Sequence, residues 1–380
     1  MAYEIDFIGV SKEKCKTDAD AICLRYKYSD YSGQTKFRIG VIDGGFEAHG
    51  AAMSDHINSY YFDGTPSFKP YSDKTIDFLV VTHPDQDHVV GIKKILENFN
   101  VLKIFMNRPW LYVDDLYEKV SDNRITPESL EERLKDKYKY IAEIEQIAED
   151  NNIPIYEAFQ GNKIENELLI LSPSKEFYLD LIIESDKTPL EEDSKAHKEN
   201  TFSKLCSFAK EYFLSLIENW TQEMLRDDVQ TSSENESSVV IRGLIDGAGF
   251  LLTGDAGIRA LNNAVDYMEL IGEDIKSEIS FYQIPHHGGR HNLGPSILDR
   301  MIGNIVNEGE KRAKTAIASV AENSDHPLKM VTNAFIRRGV RVCKTEGKVL
   351  WHHSGDMPNR KGWISCNNIE FSDFVEEWED

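Results

Sequence analysis

The chain has 380 residues and a formal net charge of −22, from 65 acidic and 43 basic side chains. Because an acidic surface repels a polyanion, this balance favours small anionic substrates or short nucleic-acid ends over long duplexes. No stretch approaches the roughly 18 apolar residues of a membrane span, and the N-terminus lacks the basic and apolar segments of a secretory signal.

The cysteines are five in number and widely scattered, at positions 15, 23, 206, 343 and 366. They show no Cys-x-x-Cys spacing, and we expect reduced, mostly buried thiols in a reducing compartment. With no membrane span and no secretory signal, the sequence predicts a cytoplasmic protein.

Strands and helices alternate along the first part of the chain. Strands are predicted at 3–10, 21–28 and 36–42, with the turn Asp30–Gly33 between the last two. A helix at 47–60, a buried strand at 76–81, a helix at 90–99 and a strand at 101–106 follow. From 112 to 151 the sequence is charged and helical, and its apolar residues recur at helical spacing, which indicates packing on the core.

The second half returns to this alternation after a polar stretch. Residues 186–200 lead into a predicted helix at 202–225, and strands are predicted at 238–245, 249–252, 279–284, 315–320, 340–344 and 349–353. The pattern predicts one α/β domain over 1–380 with two facing sheets, helices outside, and helical insertions at about 112–151 and 186–236. These insertions are candidates for a homodimer contact, a protein partner surface or a substrate lid.

One short segment concentrates potential metal ligands. Residues 82–88, Thr-His-Pro-Asp-Gln-Asp-His, follow a predicted buried strand and contain His83, Asp85, Asp87 and His88. A metal-activated water needs imidazoles and carboxylates that converge from a rigid loop and leave coordination positions open. Such ligands suit zinc, manganese or iron. A polar turn is the alternative explanation of this loop taken alone.

Two further strand ends present ligands in series. The predicted strand at 249–252 is followed by Asp255, and the one at 279–284 is followed by His286 and His287. Each is a weak signal alone, since Gly-Asp is an ordinary turn and paired histidines are often exposed. Three strand ends with His, Asp and His in this order indicate one composite metal site.

Together these segments resemble the metallo-β-lactamase-fold hydrolases and, within them, the metal-binding module of the ComEC-like proteins. The resemblance extends from about residue 3 to about residue 352 and rests on the segments 42–45, 82–88 with Gly91, 235–240, 251–255, 284–288, 318–320 and 325–327. It implies an αββα sandwich. Asp85 is typical of the ComEC-like branch, whereas Asn235 and Ser237 occupy the region of the superfamily's third-motif histidine, and His197 lies in a charged insert.

The resemblance also implies one or two divalent ions, zinc or manganese, and roles for individual residues. His83, Asp85 and His286 would hold one ion, and Asp87, His88 and a bridging Asp255 would serve the other. The sequence leaves open whether His286 or His287 is the ligand.

The expected catalytic residues are Asp87, His287 and His326. The two histidines would bind phosphate or protonate the leaving oxygen. A cap or a core hydrogen bond is an equal alternative for His326, and His352 and His353 are expected to be structural.

The predicted function is a metal-dependent phosphodiesterase or nuclease that acts on a nucleotide or nucleic acid with a metal-activated water. A hydrolase of another ester, such as a lactone or thioester, is the first alternative. The second is a non-catalytic partner-binding subunit with a degraded metal site. Basic residues such as Lys93, Lys94, Arg337 and Arg338 are expected mostly on solvated helix faces.

Overall fold

The computed structural model describes residues 2–62, 74–118, 126–185 and 215–378. The strands of this part of the chain are β1 (Tyr3–Phe7), β2 (Ala21–Ser29), β3 (Thr35–Gly44), β4 (Thr75–Ile76), β5 (Phe78–Val80), β6 (Asn100–Val101), β7 (Ile104–Phe105), β8 (Ile155–Tyr156), β9 (Lys163–Glu165), β10 (Leu168–Ser172), β11 (Ser215–Ile217), β12 (Val240–Ile245), β13 (Ala248–Leu252), β14 (Ile279–Gln283), β15 (Thr315–Ala318), β16 (Arg341–Lys344), β17 (Leu350–Ser354) and β18 (Phe374–Glu376).

Two mixed seven-stranded sheets form the centre of the fold. The first has the order β17-β1-β2-β3-β5-β7-β8, and the second has the order β16-β15-β14-β13-β12-β10-β9. In the first sheet β3, β5, β7 and β8 run parallel, and in the second β13 to β16 do. Parallel strands end at the same edge of a sheet, so the loops that follow them collect there.

The side chains between the sheets follow the alternation of extended strands. Tyr3 and Phe7 of β1 point into this layer, where their rings lie 4.9 Å from Phe250 and 5.9 Å from Phe281 of the second sheet. All four of these rings are buried. The two sheets therefore share one apolar core and face each other.

Helices cover both outer faces. The α-helices are Glu47–His56, Gln86–Val89, Ile92–Asn98, Val113–Tyr117, Pro127–Lys137, Lys139–Asp150, Lys175–Glu184, Ser233–Glu236, Ile258–Leu270, Ile275–Glu278, Pro295–Met301 and Lys329–Arg337. A π-helical turn, Ile57–Phe62, continues the first helix. The predicted αββα sandwich is confirmed. Among the helices of the described residues, none combines the length and the apolar character needed to cross a membrane.

The predicted helix at 202–225 is wrong over residues 215–225, and its earlier part lies outside the described residues. Residues Ser215–Ile217 form β11, which pairs antiparallel with β18 near the end of the chain. Trp220 nevertheless packs on the domain as expected, because its Nε1 donates to the carbonyl of Val306 at 2.8 Å. Pairing across about 160 residues is not visible in local spacing, which explains the error.

Two further expectations need correction. The sulfur atoms of Cys343 and Cys366 are joined in a disulfide, so these two cysteines are not free thiols, whereas Cys15 and Cys23 are. Arg337 and Arg338 do not lie on a solvated helix face. Both are buried, and they pair with the carboxylates of Glu218 and Glu223 at 2.7 Å.

A buried charged cluster fixes the C-terminal segment to the outer face of β1. Glu4 and Asp6 point away from the apolar core, and Arg360 binds both, with its guanidinium 2.6 and 2.8 Å from the two oxygens of Asp6 and 3.0 Å from Glu4. Arg25 contacts Glu4 at 2.5 Å. The guanidinium carbon of Arg360 also lies within 5 Å of three aromatic rings, those of Tyr60, Trp351 and Trp363. Planar stacking and paired hydrogen bonds are specific to arginine.

We predict that Arg360→Ala lowers the free energy of unfolding by about 3–5 kcal/mol, because it removes the guanidinium bound to both oxygens of the buried Asp6 and leaves the buried Glu4 with Arg25 alone. Lys361→Ala, at an exposed neighbouring position, serves as the control and should cost little. Urea unfolding of both variants measures the difference. Equal unfolding midpoints would contradict a stabilising role for Arg360.

Candidate metal centre

The metal-ligand candidates lie where strands end at one edge of the sandwich. Asp43 is the second-to-last residue of β3, and His83 follows β5 in the first sheet. From the second sheet, Asp255 follows β13 and His286 follows β14. The backbone N–H of Val239 donates to the carbonyl of Thr82 at 3.1 Å, which brings the two sheet edges together here.

Four buried residues from separate segments converge at this edge. Asp20, His88, Asp255 and His287 each offer a ligand atom, and these atoms all lie within 4.8 Å of one another. Asp87 borders the group, with Oδ2 lying 3.3 Å from Nε2 of His287 and 3.9 Å from Nε2 of His88. This arrangement offers three carboxylates and two imidazoles in a small volume.

Asp255 stands between two sets of imidazoles. Its Oδ1 lies 3.2 Å from Nε2 of His88. Its Oδ2 lies 3.7 Å from Nε2 of His83 and also 3.7 Å from Nε2 of His286. One carboxylate therefore presents a different oxygen to each set, which is the geometry a bridging ligand requires.

Asp43 orients the imidazole of His88. Nδ1 of His88 lies 2.7 Å from Oδ2 of Asp43, and a carboxylate in this position accepts the Nδ1 proton and leaves Nε2 free for the site. Asp43 also accepts hydrogen bonds from the backbone N–H and the hydroxyl of Thr82. The Thr82 hydroxyl in turn lies 3.1 Å from Nδ1 of His83. One carboxylate thus fixes the loop and both of its histidines.

The paired histidines are oriented in the same way by the second sheet. Nδ1 of His287 donates to the carbonyl of Ser319 at 2.8 Å. Nδ1 of His286 lies 2.8 Å from Oδ1 of Asn292, whose Nδ2 donates to the carbonyl of Asp255 at 2.7 Å. Because each Nδ1 is occupied, both Nε2 atoms are directed toward the carboxylates.

The backbone that carries these histidines is strained. His286 and His287 adopt φ angles of 48° and 57°, in the left-handed region that disfavours residues with a Cβ. Each such residue costs about 1–3 kcal/mol and persists only where its surroundings hold it. Gly288 follows with φ of 91°, and a Cβ there would lie 2.3 Å from Pro327.

Gln283 links Asp20 to the Asp255 loop. Its side-chain oxygen accepts the backbone N–H groups of Thr253 and Gly254, at 2.8 and 3.1 Å, and its Nε2 donates to Oδ2 of Asp20 at 3.0 Å. All these groups are buried. A single side-chain amide therefore places the two carboxylates relative to each other.

The buried carboxylates of the cluster favour a positive charge among them. Burial disfavours the ionised form of Asp20 and raises its pKa to about 6 despite the nearby imidazoles. Burial acts against protonation of His88 and His287, yet Asp87 and Asp255 raise the pKa of His287 to about 10 and that of His88 well above its usual range. The carboxylates hold protons on the imidazoles wherever no other cation neutralises them.

These residues fit a divalent metal ion. Within the described residues, His83 Nε2, His88 Nε2, Asp20 Oδ1 and Asp255 Oδ1 are buried and are not in hydrogen-bonding geometry with any partner. Leaving buried polar atoms in this state is costly, so each such atom calls for an explanation. Imidazole nitrogens and carboxylate oxygens are the ligands that zinc and manganese take.

The other predicted site residues lie around this centre. Asp85 is half-buried at the start of helix Gln86–Val89, outside the four-residue group. Asn235 and Ser237 bond to Thr231 and Glu234 and are not part of the group. His197 lies outside the described residues. His326 is also separate, and its Nδ1 lies 2.9 Å from Oδ2 of Asp18.

Sequence reasoning missed three residues of the centre: Asp20, Gln283 and Asn292. Asp20 had the one usable signal, because Asp18-Ala19-Asp20 directly precedes a predicted strand. His49 was also missed. It is buried with Nδ1 unpartnered in the described structure, and burial together with His287 lowers its pKa to about 4.

Comparisons with known proteins agree with the fold. The family profile described as the metallo-beta-lactamase superfamily matches residues 39–140, which contain Asp43 and His83 to His88. No curated protein sequence matches the chain.

Similar solved structures share about a tenth of their residues with this chain. They include a diphosphatase from the PhnP family (11% identity, 93% of this chain and 98% of that one, TM-score 0.37) and a long form RNase Z from yeast (11%, 92% and 41%, TM-score 0.36). A third is Zn(2+)-bound PqqB from Methylobacterium extorquens (10%, 91% and 99%, TM-score 0.36). The chain spans less than half the length of that RNase Z.

We predict that Asp20→Asn weakens binding of zinc or manganese by about tenfold or more, because an amide removes charge from the cluster. Asp18→Asn makes the same chemical change two residues away and should leave affinity close to that of the wild type. Metal content after dialysis against graded free-metal buffers measures both. Equal affinities for the two variants would exclude Asp20 as a ligand.

Proposed function

We propose that the protein is a metal-dependent hydrolase that cleaves phosphodiesters of a nucleotide or nucleic acid. The observation that carries this proposal is the position of Asp255, whose two buried oxygens face separate sets of imidazoles. The match of residues 39–140 to the metallo-beta-lactamase superfamily profile supports the same class of chemistry.

The ligand sets follow from these distances. His83 and His286, with Oδ2 of Asp255, would hold one ion, and Asp85, two residues after His83 in the chain, is a further proposed ligand. The other would be held by Asp20, Asp87, His88 and His287, together with Oδ1 of Asp255. We therefore assign His287 to the ligands rather than to the proton donors. Ions in such paired sites supply a water nucleophile at neutral pH and neutralise charge on the phosphoryl oxygens of an in-line displacement.

His326 is the proposed proton donor to the leaving oxygen. Asp18 accepts its Nδ1 proton at 2.9 Å and is itself held by the backbone N–H of Ala321 and the hydroxyl of Ser324. This pairing fixes the imidazole so that Nε2 carries the exchangeable proton on the other side of the ring. His326 is partly exposed and therefore open to a substrate. Asp18 is a positioning residue in this scheme.

The first test is a hydrolysis panel. It contains bis(p-nitrophenyl) phosphate, single- and double-stranded DNA and RNA, cyclic nucleotides, a lactone and a thioester, each with manganese or zinc and with a chelator as control. We expect chelator-sensitive cleavage of phosphodiesters. Cleavage of the lactone or thioester alone, by protein verified to contain metal, would overturn the proposed substrate class.

Asp255→Ala should reduce hydrolysis of the best panel substrate below detection, since it removes both carboxylate oxygens, Oδ1 facing His88 and Oδ2 facing His83 and His286. The side chain lies at a strand end, so the fold should persist, as circular dichroism can verify. Asp114→Ala, at an exposed helical position, is the matched control and should retain wild-type turnover. Retained turnover in the Asp255 variant would refute its bridging role.

His326→Gln should lower kcat by about 10²–10⁴-fold for a diester whose leaving group is an ordinary alcohol, because that oxygen needs a proton. The loss should be much smaller for p-nitrophenolate, which leaves without one. Comparing kcat for the two substrates measures the difference. An equal loss for both would show that His326 does not act as the proton donor.

A further inference from the structure

An open groove of about 540 Å³ lies beside the candidate metal centre. Its volume is within the range of binding sites for ligands of nucleotide size. Three separate segments form its walls, and its lining residues are Lys14, Cys15, Thr17, Phe46, Glu47, Ala48, Ala51, Val90 and Lys94.

Each wall of the groove continues directly into the centre. Thr17 precedes Asp18 and Asp20, and Val90 follows Asp87 and His88. Gly45, which precedes Phe46, donates its backbone N–H to the carbonyl of His88 at 3.2 Å, and the Phe46 ring lies 6.4 Å from the ring of His49. A substrate whose phosphate is at the centre would therefore extend its neighbouring groups into this groove.

The groove has a positive wall on a strongly acidic protein. Residues 11–17, Ser-Lys-Glu-Lys-Cys-Lys-Thr, carry three exposed lysines, and in the described parts of the chain Lys14 and Lys16 form no ion pair. Lys12 pairs weakly with Glu322, at 3.9 Å. Lys94 is compensated, because it lies 3.6 Å from Glu47 and 3.0 Å from Glu97. Lys14 is thus the lining cation without an ion pair, and Lys16 lies two residues further along the same loop, outside the lining residues. Against a net charge of −22, and with Glu13 in the same loop, these two lysines are the groups that can attract an anionic group locally.

The loop of residues 11–17, the lysine loop, is held in place by backbone hydrogen bonds. The backbone N–H groups of Lys14 and Cys15 donate to the carbonyl of Ser11, at 2.9 and 3.1 Å. At the end of the loop, Asp18 accepts the backbone N–H of Ala321 at 2.7 Å. A pre-ordered wall loses little conformational entropy when a ligand binds.

Phe46 gives the groove an aromatic surface. It is half-buried at the start of helix Glu47–His56 and lines the groove together with Lys14. An aromatic side chain combined with cations that follow a backbone is the arrangement by which proteins bind single-stranded nucleic acid, with bases stacked on rings. A diester with a single phosphate has no neighbouring phosphate for the lysines to contact.

We propose that the groove binds the nucleotide next to the scissile phosphate of a single-stranded nucleic-acid substrate. Lys14 and Lys16 contact the adjacent phosphate, and Phe46 contacts the base. This assignment rests on the proposed phosphodiesterase function, and it selects short single strands over duplexes and over small diesters.

Binding to the metal-loaded full chain tests the groove without turnover. The probe is a fluorescent single-stranded phosphorothioate oligonucleotide, which keeps the backbone charge and resists hydrolysis, and the readout is anisotropy at several salt concentrations. The double variant Lys14→Gln, Lys16→Gln should raise Kd about tenfold and reduce the slope of log Kd against log salt by about 0.7 per lost phosphate contact. Phe46→Leu should raise Kd with little change in slope.

Lys311→Gln is the matched control, since Lys311 is exposed and precedes β15 at its amino end, away from the centre. It should bind like the wild type. Wild-type affinity in the double variant, or an equal loss in the Lys311 control, would overturn the proposed groove.

A second readout separates this proposal from the function on which it rests. For a cleavable oligonucleotide relative to bis(p-nitrophenyl) phosphate, the ratio of kcat/KM should fall about tenfold in the double variant, and an unchanged ratio would contradict the groove. The wild type could cleave neither substrate while oligonucleotide binding still depended on Lys14 and Lys16. That result would contradict the proposed phosphodiesterase function and would still support nucleic-acid binding in the groove.

Discussion

The carboxylates of Asp20, Asp87 and Asp255 lie close together at one edge of the sandwich. Asp20 and Asp255 are fully buried. Charges of one sign in a medium of low dielectric repel strongly unless a cation lies among them. In this chain the surrounding imidazoles take protons to meet that need, which is why the pKa of His287 rises to about 10. A divalent ion meets the same need with ligands that are already oriented.

Both sheets of the sandwich supply the groups that orient the metal-ligand candidates. The first sheet supplies Asp43, which fixes Thr82 and His88, and the second supplies Ser319 and Asn292, which fix the paired histidines. Positive φ angles at Asp43, His286 and His287 show that local backbone preference is overridden where the ligands are placed. Such strain persists because the rigid parallel strands on both sides hold the loop ends.

The sequence predicted the parts of this arrangement that are local. The strands before His83, Asp255 and His286 and the αββα architecture follow from apolar runs that end in polar turns. Asp20 could not be found in this way, because its role depends on an amide from Gln283, which lies 263 residues away. Arg337 was misplaced for the same reason, since its partner Glu218 lies 119 residues away in the chain. Long-range pairs of polar groups leave no periodic signal.

Net charge gave only a coarse guide to the substrate. A value of −22 argues against a broad nucleic-acid surface, yet Lys14 and Lys16 remain uncompensated in the described structure beside the metal centre. An acidic surface with one small basic wall favours a short strand at one place and repels long polyanions elsewhere. Selection of a short strand by the positive charge of Lys14 and Lys16 is compatible with both the acidic composition and the proposed phosphodiesterase activity.

Anomalous diffraction from crystals soaked in manganese can locate the ions of the candidate centre directly. We predict anomalous density on both sides of the Asp255 carboxylate, one peak toward His83 and His286 and the other toward Asp20, His88 and His287. Density at only one of the two positions at saturating manganese would contradict the bridging role, and no density at either would contradict the metal centre itself.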